Sequence, residues 1–563
     1  MPPKNSIVLG LNAYSHDAGV ALLVDGRLVF AAEEERYDRI RHSAAFPRGA
    51  IAAALRHAGV QPEDVQAVAF CWRKDMARLN KALYVLWRLP RSLPFLLQKP
   101  DGMPRRVTYL RSVARLENDL RAAGLNAPVT YVDHHLAHAA CAHRFGPRDE
   151  AALITADGMG EWTSTAAWTT DGDAPQQLDR QCYPHSLGKL YAAVTQHLGF
   201  CPDADEGKTM GLAPRGRPGL VEAFRTVLQP RAERLFRIDL KRFGYPWGQT
   251  RMGGERFERL FGPAREPESE ILRRHEDLAF AAQACLEEVV LDIARRTRES
   301  SGQCHLGLAG GLFLNCVLNG RLARESGFDS VWVFPAAGDS GAAAGAAAVV
   351  AGCARSEVRH AYLGDGFLAE EIDRALAGRP YRVVDDPADH AAAALEQGRT
   401  VGWFSGRMEF GPRALGARSI LADARDPRIQ DRLNHTVKFR ESFRPFAPAV
   451  LLEAAGDWFI DARPSPFMAL TLMARTPARE QIPGVVHVDG SARVQTVGPN
   501  DGHPSFRRLI ECFSRRTGVP VVLNTSLNVR GKPIVRTPTE AIGVFEKTAL
   551  DVLILEDRIL EKR

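Results

Sequence analysis

The chain has 563 residues, 45% hydrophobic, 25% charged and 8% aromatic, which excludes both a single small core and global disorder and suggests two or more domains. Lysine and arginine total 73 against 67 aspartate and glutamate, and so thin a positive excess over so long a chain is too weak to mark a dedicated nucleic-acid binder. The nine cysteines are scattered without a Cys-x-x-Cys pair, and Met-Pro-Pro-Lys leads into a strand rather than a signal peptide. No apolar run reaches the roughly 18 residues of a membrane span, so the expectation is a soluble, cytoplasmic protein.

In chain order, residues 6–12 are predicted to form a strand, and residues 19–24 and 27–32 a hairpin turning at Asp25-Gly26. The loop between them carries His16-Asp17. Residues 73–115 are basic and interleaved with Leu, Trp, Tyr and Phe, which fits a solvated helical face, a lid over a bulky apolar substrate, or a membrane or RNA contact. A strand at 129–132 is followed by His134-His135-Leu-Ala-His138 entering a helix. Residues 150–155 then repeat the opening plan with a strand, the loop Asp157-Gly-Met-Gly-Glu161 and a strand over 163–170. This reads either as a duplicated subdomain facing its copy over a cleft or as two unrelated hairpins. Residues 270–300 have helical spacing, His305 to Gly311 reads as a strand and tight turn, and Val331 to Phe334 leads through Gly338-Asp-Ser-Gly341 into an Ala/Gly-rich helix ending near Gly352. A composition shift places a domain boundary near 355–375, ahead of a second α/β segment that opens near Thr400.

Two histidines at i and i+4 on one helix face can close on a metal, so His134 and His138 are candidate ligands. Asp157 and Asp339, on glycine-bearing loops at strand ends, could complete an N/O set suited to iron, zinc or manganese; the alternative is that the histidines cap a helix and the aspartates stabilise turns. His135 stands where a zinc peptidase needs its glutamate. Glu206-Gly-Lys-Thr-Met-Gly211 is not a P-loop, because Pro202 occupies the place of its first glycine, and Lys208 is either a nucleotide contact or a solvated loop lysine. The second segment holds Gly406 to Ser419, Lys438-Phe-Arg-Glu-Ser-Phe-Arg444, Arg493 and Asn524-Thr-Ser-Leu-Asn528. Arginines beside glycine turns and an Asn-Thr-Ser loop predict an anion pocket and favour a phosphorylated substrate over a merely basic surface.

These motifs, with Gly310-Gly-Leu-Phe-Leu-Asn315 and Phe443-Arg-Pro-Phe-Ala-Pro448, resemble the O-carbamoyltransferases that decorate nodulation factors and antibiotics, over nearly the whole chain. The resemblance implies an α/β protein: an actin/sugar-kinase-like duplicated domain over 1–360, followed by a threonylcarbamoyl-adenylate-synthase-like α/β domain over 361–563. It implies that carbamoyl phosphate and Mg-ATP give carbamoyl adenylate in the second domain, at Arg413, Lys438, Arg444, Arg493, Ser526 and Asn528. The first domain would pass the carbamoyl group to a hydroxyl of a small natural product. His16 would be the base there, His134, His138, Asp157 and Asp339 would hold a divalent metal, iron first and zinc or manganese as alternatives, and Gly160, Lys208, Gly310, Gly311 and Asn315 would bind nucleotide. Neither nucleic acid nor a membrane is an implied partner; a homodimer is allowed. The competing readings are a tRNA threonylcarbamoyl-type enzyme, a sugar kinase and a nucleotide-switch protein.

Overall fold

The computed structural model describes residues 6–73, 83–89, 92, 112–172, 174–501 and 503–562, so most of the basic stretch 73–115 lies outside the described residues. The chain divides into two compact units, Met1–Glu34 with His42–Glu357, and Glu35–Arg41 with Val358–Arg563.

The first unit is built from one plan used twice. Strands β1 (Ile7–Asn12), β2 (Gly19–Val24), β3 (Arg27–Glu33), β4 (Ala67–Phe70) and β5 (Val129–Tyr131) form a sheet of order β3-β2-β1-β4-β5. The first three run antiparallel to their neighbours, and β4 and β5 join in parallel. Strands β6 (Glu150–Ala156), β7 (Thr163–Asp171) and β8 (Gln176–Cys182) repeat the antiparallel trio. After a two-stranded ribbon of β9 (Leu228–Arg231) and β10 (Arg234–Ile238), β11 (His305–Ala309) and β12 (Ser330–Val333) add the parallel pair, giving the mirrored order β12-β11-β6-β7-β8. The copies correspond strand for strand, which makes this an internal duplication, as expected from the sequence. The central strands read as continuous apolar runs because both faces are covered; β1 is buried along its whole length.

A helix follows the fifth strand of each copy: α1 (His134–Arg144) after β5 and, with the long helix α2 (Arg273–Ser301) intervening in sequence, α3 (Asp339–Ala351) after β12. The Ala/Gly composition of α3 is explained by close contact on two sides. A Cβ on Gly345 would lie 1.8 Å from the Ala137 carbonyl oxygen of α1, and one on Gly10 of β1 would lie 1.9 Å from that of Ala343. Larger side chains would separate the two helices that carry three of the four candidate ligands, His134, His138 and Asp339. Asp339 is thus the first residue of a helix rather than part of a loop.

The second unit is a mixed nine-stranded sheet. Its strands are β13 (Arg382–Val383), β14 (Val401–Phe404), β15 (Arg418–Asp423), β16 (Ala447–Leu451), β17 (Leu470–Met473), β18 (Ser491–Val497), β19 (Val521–Ser526), β20 (Val552–Leu555) and β21 (Arg558–Glu561). Their order is β13-β21-β20-β14-β15-β19-β16-β18-β17. Helices α4 (Pro387–Glu396), α5 (Pro504–Thr517) and α6 (Pro538–Lys547) contribute Leu395, Phe506, Phe513 and Phe545 to a core shared with Trp403 and Phe404. The sequence reading did not anticipate that Glu35–Arg41 belongs to this unit. Arg36 is buried and donates to the Gly411 carbonyl at 2.7 Å, and Arg39 donates to those of Ile534 and Pro533 at 2.7 and 2.9 Å.

Candidate functional site

The duplication brings four candidate ligands together in the first unit. Asp133 caps α1 through the Leu136 amide at 2.8 Å, which fixes the first turn so that His134 and His138 share a face. Asp157 follows β6 and Asp339 opens α3. All four side chains are buried. The two Nε2 atoms are 3.2 Å apart. His134 Nε2 lies 3.6 Å from Asp157 and 3.5 Å from Asp339, and His138 Nε2 lies 3.3 and 3.7 Å from the same carboxylates. A tetrahedral ion bound at about 2.0–2.2 Å sets its ligands roughly 3.3–3.6 Å apart, so these five separations fit one ion. Asp339 Oδ1 is buried with no hydrogen-bond partner, a costly state for a carboxylate oxygen that a cation would relieve. The quartet could therefore hold a metal.

The electrostatics describe the same pocket. Burial opposes charge on His134, but the negative charge of Asp339 and the close contacts with Asp157 and Asp339 outweigh it and hold its pKa well above the ordinary value. Burial also opposes ionisation of Asp157, and hydrogen bonds from His134 and His138 hold its carboxyl well below the usual range. His135 differs: burial and the charges of His134 and His138 push it down to about 3, and its ring bonds Thr155 Oγ1 at 2.9 Å and the Thr163 carbonyl at 3.0 Å. It holds the β6–β7 edge to α1. Glu161 accepts the His134 amide at 3.2 Å and the Arg73 amide at 2.6 Å, a second anchor for the same turn. His16, on the β1–β2 loop, places Nε2 3.9 Å from Asp339 and Nδ1 2.9 Å from Asp17. Burial lowers its basicity, and Asp339 and Asp17 reverse this and raise it to about 10.

The nucleotide candidates divide by what their atoms already do. Gly160 passes over the histidines, where a Cβ would come within 2.9 Å of His135 and 3.2 Å of His134. Gly310 has φ 104°, and the Gly311 amide reaches Asp157 at 3.4 Å, so this turn abuts the quartet. Asn315 is occupied as a helix cap and by Gln283, to which it donates at 2.9 Å. Lys208 lies on a short helix, paired with Asp205 at 3.0 Å and over the Phe200 ring.

In the second unit, Lys438 is buried and donates to Asn528 Oδ1 at 2.8 Å, to Ser526 Oγ at 3.2 Å and to the Ser526 carbonyl. Burial and then the charges of Arg440 and Arg444 depress its pKa well below that of a free lysine. Arg440 in turn is destabilised as a cation by burial, Arg444 and Arg493, so these four basic groups form one neighbourhood. Arg493 Nε is buried with no hydrogen-bond partner. Glu441 approaches Arg444 to 3.9 Å. Arg440 was absent from the sequence candidates: it packs over Phe446, bonds Asn434 Oδ1 at 2.8 Å, and only its place between Lys438 and Arg444 hinted at it. Arg413 is half-buried on the loop leading to β15, separate in sequence from the segments that carry the four.

The fold and site define a two-unit α/β protein: a duplicated unit with a buried His/Asp quartet, and a unit with concentrated positive charge. The family models for the carbamoyltransferase N-terminus and C-terminus match residues 7–348 and 392–562, and the chain belongs to the carbamoyltransferase family. It is 39% identical to an uncharacterized protein of Synechocystis sp. over 99% of this chain and 96% of that one. It is 34% identical to nodulation protein NolNO of Sinorhizobium fredii (100% and 81%) and 30% identical to nodulation protein U of Rhizobium tropici (92% and 90%). The protein is accordingly a transferase enzyme. No helix among the described residues is long and apolar enough to cross a membrane.

Proposed function

We propose that this protein is an ATP-dependent O-carbamoyltransferase that makes carbamoyl adenylate in its second unit and transfers the carbamoyl group to a small-molecule alcohol in its first. The observation that carries the reading is the group Lys438, Arg440, Arg444 and Arg493, where burial and then mutual repulsion oppose charge on Lys438 and Arg440. Buried cations that repel one another favour a polyanion that neutralises them. Carbamoyl phosphate and the ATP phosphates are such anions, and Ser526 and Asn528 can orient a carbamoyl amide or phosphate oxygen. Atoms balance when water takes the phosphoryl group of carbamoyl phosphate as phosphate and the released carbamate attacks the α-phosphorus of ATP, expelling pyrophosphate.

In the first unit, His134, His138, Asp157 and Asp339 would hold a divalent ion of the iron, zinc or manganese type, which when bound supplies Lewis-acid polarisation. The Gly310-Gly311 turn and Gly160 pack directly against the quartet residues, and their backbone would line the bound adenylate. The Asp339 charge that chiefly keeps His16 protonated would be offset by a cation held by the quartet, and the neutral His16 Nε2 then takes the proton of the acceptor hydroxyl as its oxygen bonds the carbamoyl carbon; the bond from that carbon to the phosphate oxygen breaks and AMP leaves with the electron pair. Such base assistance contributes roughly 10²–10⁴ in rate. The test is pyrophosphate release from purified protein and ATP, with and without carbamoyl phosphate and with no acceptor. Release that requires carbamoyl phosphate supports the reading; ATP left intact, or cleaved equally without it, overturns it.

A further inference from the structure

We infer that Asp17 and His42 are positioning residues for His16, forming a hydrogen-bonded chain His42–Asp17–His16 that aims the His16 ring at the His/Asp quartet. The inference deepens the proposed function, since it rests on His16 as the group that receives the acceptor proton. Asp17 binds two imidazoles at once: its Oδ2 lies 2.9 Å from His16 Nδ1 and its Oδ1 2.7 Å from His42 Nδ1. An ionised carboxylate only accepts, so both ring nitrogens must be the donors. Asp17 stays ionised in its surroundings, because His42 and the hydrogen bonds from both histidines outweigh the effect of burial and hold its carboxyl below the usual range. With Nδ1 of His16 committed to Asp17, Nε2 is the ring atom left to face Asp339, 3.9 Å away.

The backbone is built to keep this register. Asn12, fully buried at the end of β1, donates its side-chain amide to the carbonyls of His16 and Asp17 at 2.9 and 3.0 Å. The loop is also tied to the segment that carries His42: the Tyr14 amide donates to the Ala44 carbonyl at 3.2 Å and the Ala18 amide to that of Ser43 at 2.8 Å. Asp17 has φ 53° and His42 φ 53°. Left-handed backbone at two non-glycine residues is an uncommon conformation, and here it falls on the two residues that make the contact. A side chain serving only the loop would need one partner; this carboxylate spans two rings, and one of them reaches the quartet. Orientation of a base in this way is a recognised route to rate, as the aspartate of a serine hydrolase orients its histidine.

The test uses the full chain with ¹⁵N-labelled histidine rings, prepared in zinc-containing medium so that any bound metal is diamagnetic, with His16 assigned through His16→Gln. The expected wild-type spectrum holds a downfield, slowly exchanging Nδ1–H signal from His16. Asp17→Ala should abolish it, His42→Ala should shift it and speed its exchange, and His42→Gln, whose amide can still donate to Asp17, should restore it. Absence of that signal in the wild type, or an unchanged signal in Asp17→Ala or His42→Ala, overturns the inference. Should Asp17→Ala fail to fold, the wild-type spectrum and the comparison of His42→Gln with His42→Ala still decide. Failure of the base reading would show instead as undiminished carbamoyl transfer in His16→Ala, with the spectra untouched.

Discussion

Lys438 has hydrogen bonds to Ser526 and Asn528, and its burial, followed by the charges of two guanidiniums, depresses its pKa well below that of a free lysine. An incoming phosphate dianion reverses that balance, because the charged ammonium then has a counter-charge in place of repulsion. The sign follows: the free site holds fewer protons on Lys438 than the occupied site, so inorganic phosphate or carbamoyl phosphate should bind with net proton uptake, and affinity should fall as pH rises. Calorimetry in buffers of different ionisation enthalpy checks this, and an enthalpy independent of buffer would remove the assignment. Lys438→Met should weaken phosphate binding about 10–100-fold, the magnitude of a lost charge-assisted hydrogen bond. In the first unit, His138→Ala or Asp339→Asn should lower metal content measured by mass spectrometry from about one ion per chain towards zero, while pyrophosphate release persists. At this scale the sequence was legible where chemistry is written locally. The i, i+4 histidines and the Lys438–Arg444 segment are short strings whose meaning depends on one helix face or one loop. His42 was not legible, because its partner Asp17 is reached only through the contacts between two loops.

The helices α1 and α3 supply three of the four quartet side chains, so the metal reading depends on how closely they approach. Gly345→Ala places a Cβ 1.8 Å from the Ala137 carbonyl and 2.8 Å from the Cys141 amide, both rigid helix backbone. The helices must part, at a cost of about 1–3 kcal/mol for overpacking. The same substitution at Gly543, inside α6, meets nothing within 4 Å and should stabilise by about 0.5–1 kcal/mol through helix propensity and reduced freedom of the unfolded chain. Scanning calorimetry should therefore show Gly345→Ala with a lowered transition and reduced metal content, and Gly543→Ala with a transition unchanged or raised. Equal behaviour of the two would refute the close-approach account. The strand plan was readable from apolar runs and turn residues, and the Ala/Gly composition of α3 announced a close approach. Which element it approaches was not readable, because that is fixed by the duplicated sheet order rather than by α3 itself.

For the whole molecule, the division of the chain does not follow the division of labour that sequence order suggests. The composition shift near 355–375 marks where the chain enters the second unit for good, yet Glu35–Arg41 already belongs to that unit. Nothing in those seven residues distinguishes them from the hairpin before or the helix after; their membership is set by partners some 375 to 500 positions away. Arg36 is 1% exposed and donates to the Gly411 carbonyl, on a loop whose later amides at Leu415, Ala417 and Arg418 are gathered by Glu409 Oε1 at 2.8, 2.8 and 3.0 Å. That loop runs into β15, which pairs Ser419 with Ser526, and the Leu527 amide donates to the Arg418 carbonyl at 2.9 Å. The pocket residues Ser526 and Asn528 flank that bond. Arg36→Met keeps the bulk of the side chain but removes the buried hydrogen bond to the Gly411 carbonyl, at a cost of about 1–3 kcal/mol. If even 1.4 kcal/mol of this reaches the pocket, carbamoyl-phosphate-dependent pyrophosphate release should fall roughly tenfold, while metal content of the first unit stays that of the wild type. Loss of metal with pyrophosphate release intact would instead assign Arg36 to the first unit's function, against the placement of residues 35–41.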